Sequence, residues 1–123
     1  MIRTEEKIST KLVDAIVDGM QEKKAEDIAI LDLRGVQNAI VDFFVICSGN
    51  SDTQVSSISN SVEEKVLKKL KEKPWKQEGI GNNEWVLIDY VDVLVHVFQK
   101  NKRQQYGLEE LWGDAKITHL END

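Results

Sequence analysis

Cysteine, proline and histidine are nearly missing from this 123-residue chain, which has one cysteine, one proline and two histidines. A single cysteine excludes an intrachain disulfide and a cysteine-based metal cluster. Cys47 ends the apolar run Phe43-Phe44-Val45-Ile46-Cys47, where a free thiol reads as a small buried hydrophobe rather than a reactive group. His96 and His119 lack ligand-type spacing, so neither a metal nor a cofactor is expected. No apolar run approaches the roughly 20 residues of a membrane span. The opening Met1-Ile2-Arg3-Thr4-Glu5-Glu6-Lys7 shows no apolar signal region and carries acids that transit peptides avoid, which leads us to expect a cytoplasmic protein. Excess basic charge is lacking too. The net charge of −6 disfavours a direct, sequence-specific grip on nucleic acid. It permits steering toward a basic protein.

What is present is enough apolar material, 41% of residues, for one packed core. We expect a single domain over residues 1–115 and a polar C-terminal tail over 116–123, frayed at its end.

Periodicity divides the chain. Ile8, Leu12, Ala15, Ile16 and Met20 share one face of a helix predicted from Thr4, its cap, to Lys24. Asp27 to Leu33 reads as a strand, Arg34 to Ile40 as a loop, and Val41 to Cys47 as a strand covered on both faces. Ser51 or Asp52 caps a second helix whose stripe is Val55, Ile58, Val62, Val66 and Leu70. Its lysine-rich end (Lys65, Lys68, Lys69, Lys71, Lys73) reads as a solvated face that complements the helix dipole. Pro74 forces the chain out of the helix. Three strands are predicted next: Trp75 to Ile80, Trp85 to Tyr90 and Val93 to Phe98, followed by a short helix over Leu108 to Ala115. The simplest packing is α/β (α+β): a mixed five-stranded sheet flanked by helices, with the second helix crossing between parallel strands and the last three strands as a meander.

With a two-residue connection at Tyr90-Val91, Asp89 faces Asp92, Leu87 faces Leu94 and Trp85 faces His96 on one side of the hairpin, while Val86 and Ile88 face Val95 and Val93 on the other. The Val/Ile side is core. The Trp85 side combines a large aromatic with carboxylates at its edge, the composition of a contact surface for a basic partner. The plainer alternative is that the closing helix covers it, with Leu111 and Trp112 against Trp85.

Trp85-x-Leu-Ile-Asp-Tyr-x-Asp-Val-x-Val-His-Val-Phe98, followed by Tyr106-x-Leu-Glu-x-Leu-Trp-x-Asp-Ala115, resembles the signature of the RsfS/Iojap ribosomal silencing factor family. Asp42-Phe43-Phe44-Val45-Ile46-x-Ser-Gly49 and Ser51-Asp52-x-Gln54-Val55 are similar to the central block of the same family, and the likeness runs from about Leu12 to Ala115. The resemblance implies a nucleotidyltransferase-like fold without its catalytic set. It also implies a partner on the large ribosomal subunit, the large-subunit ribosomal protein fourteen. Occupying that protein sterically blocks subunit joining and represses translation when nutrients are scarce. By motif position Trp85 is the apolar anchor, Leu87 and Leu94 frame it, and Asp89, Asp92 and His96 are polar contacts or orienters. Tyr106, Leu108, Leu111 and Trp112 pack the closing helix and extend the interface. The family has glycine where this chain has Val91, so the turn here either avoids a positive φ or carries strain.

Three other readings compete with this one. A nucleotidyltransferase would use Ser48-Gly49-Asn50-Ser51-Asp52 to hold an anion and Asp89 with Asp92 for metals, yet the turn separates these acids and no third is placed. A Cys47–His96 catalytic pair conflicts with a buried Cys47. A homodimer pairing the same hairpin face with itself is the third. No catalytic residue is assigned.

Overall fold

The computed structural model describes residues 4–121, with side chains from residue 10 onward. The expected cap at Thr4 and the packing of Ile8 therefore lie outside the described side chains. The elements follow in the order α1 (Thr4–Glu22), β1 (Glu26–Asp32), β2 (Phe43–Gly49), α2 (Asp52–Leu70), β3 (Lys76–Glu78), β4 (Trp85–Asp89), β5 (Val93–Gln99), α3 (Arg103–Tyr106), α4 (Leu108–Leu111) and β6 (Lys116–His119). The strands form one six-stranded sheet in the order β3-β4-β5-β2-β1-β6. Only β2 and β5 run parallel, and α2 begins the crossover between them.

Both long helices lie on one face of the sheet. Val55, Ile58, Val62 and Val66 of α2 are fully buried against Val45, Val86, Ile88, Val93, Val95 and Val97, with Leu12, Ile16 and Met20 of α1. Each such side chain contributes about 1.5–3 kcal/mol by leaving water. The helices approach closely because α1 has glycine at the crossing: a Cβ on Gly19 would stand 2.7 Å from Val62 Cα. Ser61 Oγ donates to the Gly19 carbonyl at 2.8 Å across the same contact. Every residue of β2 is buried, as its apolar run predicts.

Ser51 caps α2, its Oγ accepting the Gln54 N–H at 3.1 Å, while Gln54 Oε1 accepts the Asn50 N–H at 2.7 Å. Lys71 ends the helix in the left-handed region, three residues before Pro74. Two of the lysines tie α2 to α1, Lys65 to Glu22 at 3.2 Å and Lys69 to Asp18.

Three expectations are corrected. The sheet has six strands, not five, because Lys116–His119, expected to fray, pairs antiparallel with β1 (Leu31 opposite Ile117). Its sequence signal is a single half-buried isoleucine. The strand covers the otherwise unpaired edge of β1. The closing helix expected over Leu108 to Ala115 is shortened to the four-residue α4, and a separate four-residue helix, α3, precedes it before Gly107. The hairpin connection is Val91-Asp92, so Asp89 faces Leu94, Leu87 faces His96 and Trp85 faces Phe98. Because this register differs from the predicted one by two residues, every side chain keeps its face.

Candidate functional site

The second face of the sheet has no long helix. Ala29, Leu31, Phe44, Ile46 and Phe98 are buried there under a thin layer made by α3, α4 and the partly buried Trp85, Leu94, Leu108, Trp112 and Ile117. Trp85 opens β4, and the loop before it folds over its main chain at Gly79, which has φ 85° and where a Cβ would fall 2.0 Å from the Trp85 carbonyl oxygen. Only glycine satisfies both conditions.

The Trp85 indole stacks on Phe98, with ring centroids 5.2 Å apart and an interplanar angle of 23°. Tyr106 of α3 tilts against it at 4.5 Å. The Trp85 Nε1–H donates to His96 Nδ1 at 3.0 Å. His96 is 3% exposed and meets the Phe44 ring edge-on at 4.7 Å. Burial drives its pKa down to about 3, so the imidazole is neutral, and with Nδ1 accepting it carries its proton on Nε2. That Nε2 is buried with no hydrogen-bond partner among the described residues.

Around this cluster the predicted site residues separate. Leu87 and Leu94 are partly buried beside His96. Tyr106 and Leu111 stand 41% and 72% exposed. Trp112 meets Phe44 edge-on at 6.0 Å. The alternative that Leu111 and Trp112 cover Trp85 differs from what is seen: Tyr106 lies against the indole, Trp112 against Phe44, and Leu111, implied by the resemblance to pack the closing helix, stands exposed. Asp89 is used locally, its Oδ1 accepting the Val91 N–H at 2.7 Å, while Asp92 is exposed at the turn. Asp89 follows Leu87 by two residues on the same face of β4, at the edge of the patch, and Asp92 stands apart at the exposed turn.

Sequence reasoning missed two positions. Phe98, the floor under the indole, becomes legible once the register is right. Arg103, in a polar stretch, gave no signal. Its side chain is 11% exposed; it donates to the Asp27 carbonyl and Ser48 Oγ and reaches Glu109 Oε1 at 3.0 Å, fastening α3 and α4 to the ends of β1 and β2.

Cys47 and His96, considered above as a catalytic pair, do not meet. Cys47 faces the helices whereas His96 is on the opposite face, so the two do not pair, and burial raises the thiol to about 12. Among the described residues no three His, Cys, Asp or Glu side chains are grouped to hold a metal. The first turn of α2 is capped from within by Ser51 and Gln54. No helix among the described residues is long and apolar enough to cross a membrane.

Comparison with known proteins gives a consistent result. The profile of the family described as "Ribosomal silencing factor during starvation" (RsfS) matches residues 5–123. The ribosomal silencing factor RsfS of Halalkalibacterium halodurans is 42% identical over 111 residues, covering 90% of this chain and 93% of that one. That of Bacillus subtilis is 44% identical over 101 residues, covering 81% and 83%. A crystal structure of a Chromobacterium violaceum protein superposes with a TM-score of 0.78 at 32% identity, covering 85% of each chain.

Proposed function

Since this chain belongs to the RsfS family of ribosomal silencing factors, we propose that it is a cytoplasmic translational repressor acting by occupancy rather than by catalysis. It docks on the large ribosomal subunit through large-subunit ribosomal protein fourteen and sterically blocks subunit joining when nutrients are scarce. The observation that carries this reading is the partly open aromatic surface on the thinly covered face of the sheet: Trp85 seated on Phe98 with the exposed Tyr106 against it, and Leu111 exposed on α4. Rigid aromatic anchors bordered by acids suit a basic protein partner, and truncating such an anchor typically costs about 2 kcal/mol or more of binding. Leu87, Asp89, Asp92, Leu94 and Trp112 complete the proposed contact, and His96 supports it from beneath. No cofactor or metal enters this function.

The test is direct. Purified chain is mixed with isolated large or small subunits, and then with both together, and sedimented through sucrose. We expect it to travel with large subunits only and to lower the yield of joined ribosomes. Absence from the large-subunit fraction, or undiminished joining at saturation, would contradict the proposal. A second copy of the chain is the other reading for this surface, favoured by the exposure of Leu111. It would show as a dimer that large subunits do not dissociate.

A further inference from the structure

His96 is an expensive residue for its place. It lies mid-strand in β5, 3% exposed, beside the rings of Phe44, Trp85 and Phe98 and opposite Leu87. Its Nε2–H is buried without a partner among the described residues, a desolvation cost that an apolar side chain would not incur. Among the described residues its side chain makes one hydrogen bond, the one that Nδ1 accepts from Trp85 Nε1–H at 3.0 Å. A residue kept at that cost for one bond is explained by what the bond fixes.

It fixes an indole. Trp85 is diagonal to His96 across the β4–β5 pair, since Trp85 faces Phe98 and His96 faces Leu87. The stacking of Trp85 on Phe98 sets its tilt, and a χ2 flip would keep that stacking while turning the nitrogen edge away. An acceptor at Nδ1 selects one orientation, with the nitrogen edge turned inward and the carbocyclic edge turned out. The direction of the bond also fixes the chemistry of the acceptor: indole is only a donor, so Nδ1 must be unprotonated, and neutral imidazole then holds its proton on Nε2.

We propose that His96 is a positioning residue for the docking surface: a buried neutral acceptor that pre-orients the Trp85 indole, so that the protein partner on the large subunit meets a ring already held in its bound orientation. The role rests on the Trp85 surface being the docking site, and preorganisation acts there by removing the ordering cost that a free ring would carry on binding.

Two substitutions separate this role from mere packing. His96→Phe keeps a ring of similar shape and removes the acceptor. His96→Asn places a carbonyl oxygen close to where Nδ1 stands and restores one. Imidazole 15N shifts should give the Nε2–H form for His96. The Trp85 indole N–H, assigned by NMR with the help of Trp85→Phe, should be protected from exchange in the native chain. In His96→Phe it should exchange at least about ten times faster with the backbone amides of β4 and β5 unchanged, and large-subunit binding should weaken about tenfold; His96→Asn should recover both in part. Unaltered indole protection in a folded His96→Phe, or an Nδ1–H tautomer, would overturn the assignment whatever the ribosome does. If the indole is released and Trp85→Phe or Trp85→Ala nevertheless binds large subunits normally, the positioning stands as a local fact and it is the docking reading that fails.

Discussion

The backbone N–H of Asp92 donates to the carbonyl of Tyr90, two residues earlier, at 2.9 Å, and Val91 between them sits at φ 75°. This is a γ-turn of the strained, positive-φ kind at the tip of the β4–β5 hairpin, closed outside it by Tyr90 N–H to the Val93 carbonyl at 3.0 Å. A β-branched side chain resists that backbone. Strain of this type costs on the order of 1–3 kcal/mol. Glycine would relieve it while losing roughly 0.5–1 kcal/mol in chain entropy. Val91 is 60% exposed, so little packing is forfeited.

Val91→Gly is therefore expected to stabilise the chain by about 1 kcal/mol in urea unfolding, and Val91→Ala to change it little. A glycine variant less stable than the native chain would show that the turn is not strained.

Arg103 yields the second prediction. Its partly buried guanidinium joins α3 and α4 to β1 and β2 through Asp27, Ser48 and Glu109. Arg103→Met keeps the aliphatic stem and removes the bonds. We expect a loss of about 2–3 kcal/mol, with hydrogen exchange rising over residues 103–115 while β2 and β5 stay protected. Uniform exchange changes across the chain would contradict a local latch.

The third concerns pH. His96 has a folded pKa lowered by burial to about 3, against an ordinary 6.5. Below pH 6.5 the unfolded chain takes up a proton that the folded chain refuses. The contribution is therefore whole above pH 6.5 and is lost as pH falls toward 3. From pH 6.5 to 5 the loss is about 2 kcal/mol. Glu63, whose carboxyl burial raises, acts in the opposite sense, gaining stability on acidification. Urea midpoints at pH 7, 6 and 5 should fall in the native chain and fall less in His96→Phe; equal slopes would show that His96 is not the group responsible.

The fourth concerns Cys47. Its thiol is buried on the helix side of the sheet and pushed up to about 12. At pH 8 only about one molecule in ten thousand would carry the thiolate. Labelling by a disulfide reagent should await unfolding and accelerate with urea. Stoichiometric labelling within minutes in native buffer would place the thiol at the surface.

Much of this was legible beforehand, and the limits have physical causes. The stripe from Val55 to Val66 and the run from Phe43 to Cys47 carry strong periodicities, because a long buried face leaves few choices of residue. Residues Lys116–His119 gave no such signal: one inward isoleucine suffices when a strand's main task is to pair a neighbour's edge. The hairpin register was missed by two residues because Val91, with no turn-forming chemistry of its own, sits at a positive φ that sequence assigns to glycine or asparagine. The aromatic patch kept its face because strand alternation survives an even shift, whereas its floor at Phe98 did not appear opposite Trp85 until the register was known. Arg103 was invisible, since a buried arginine is defined by partners that are distant in sequence.

The most direct test of the central claim is the affinity of Trp85→Ala for isolated large subunits, measured by pelleting after circular dichroism has shown a folded chain, with Leu111→Asp as a companion because that side chain stands 72% exposed and has little packing to lose. We expect both variants to weaken, Trp85→Ala by about thirtyfold, equivalent to about 2 kcal/mol. Native-like pelleting by both folded variants would contradict docking through this surface.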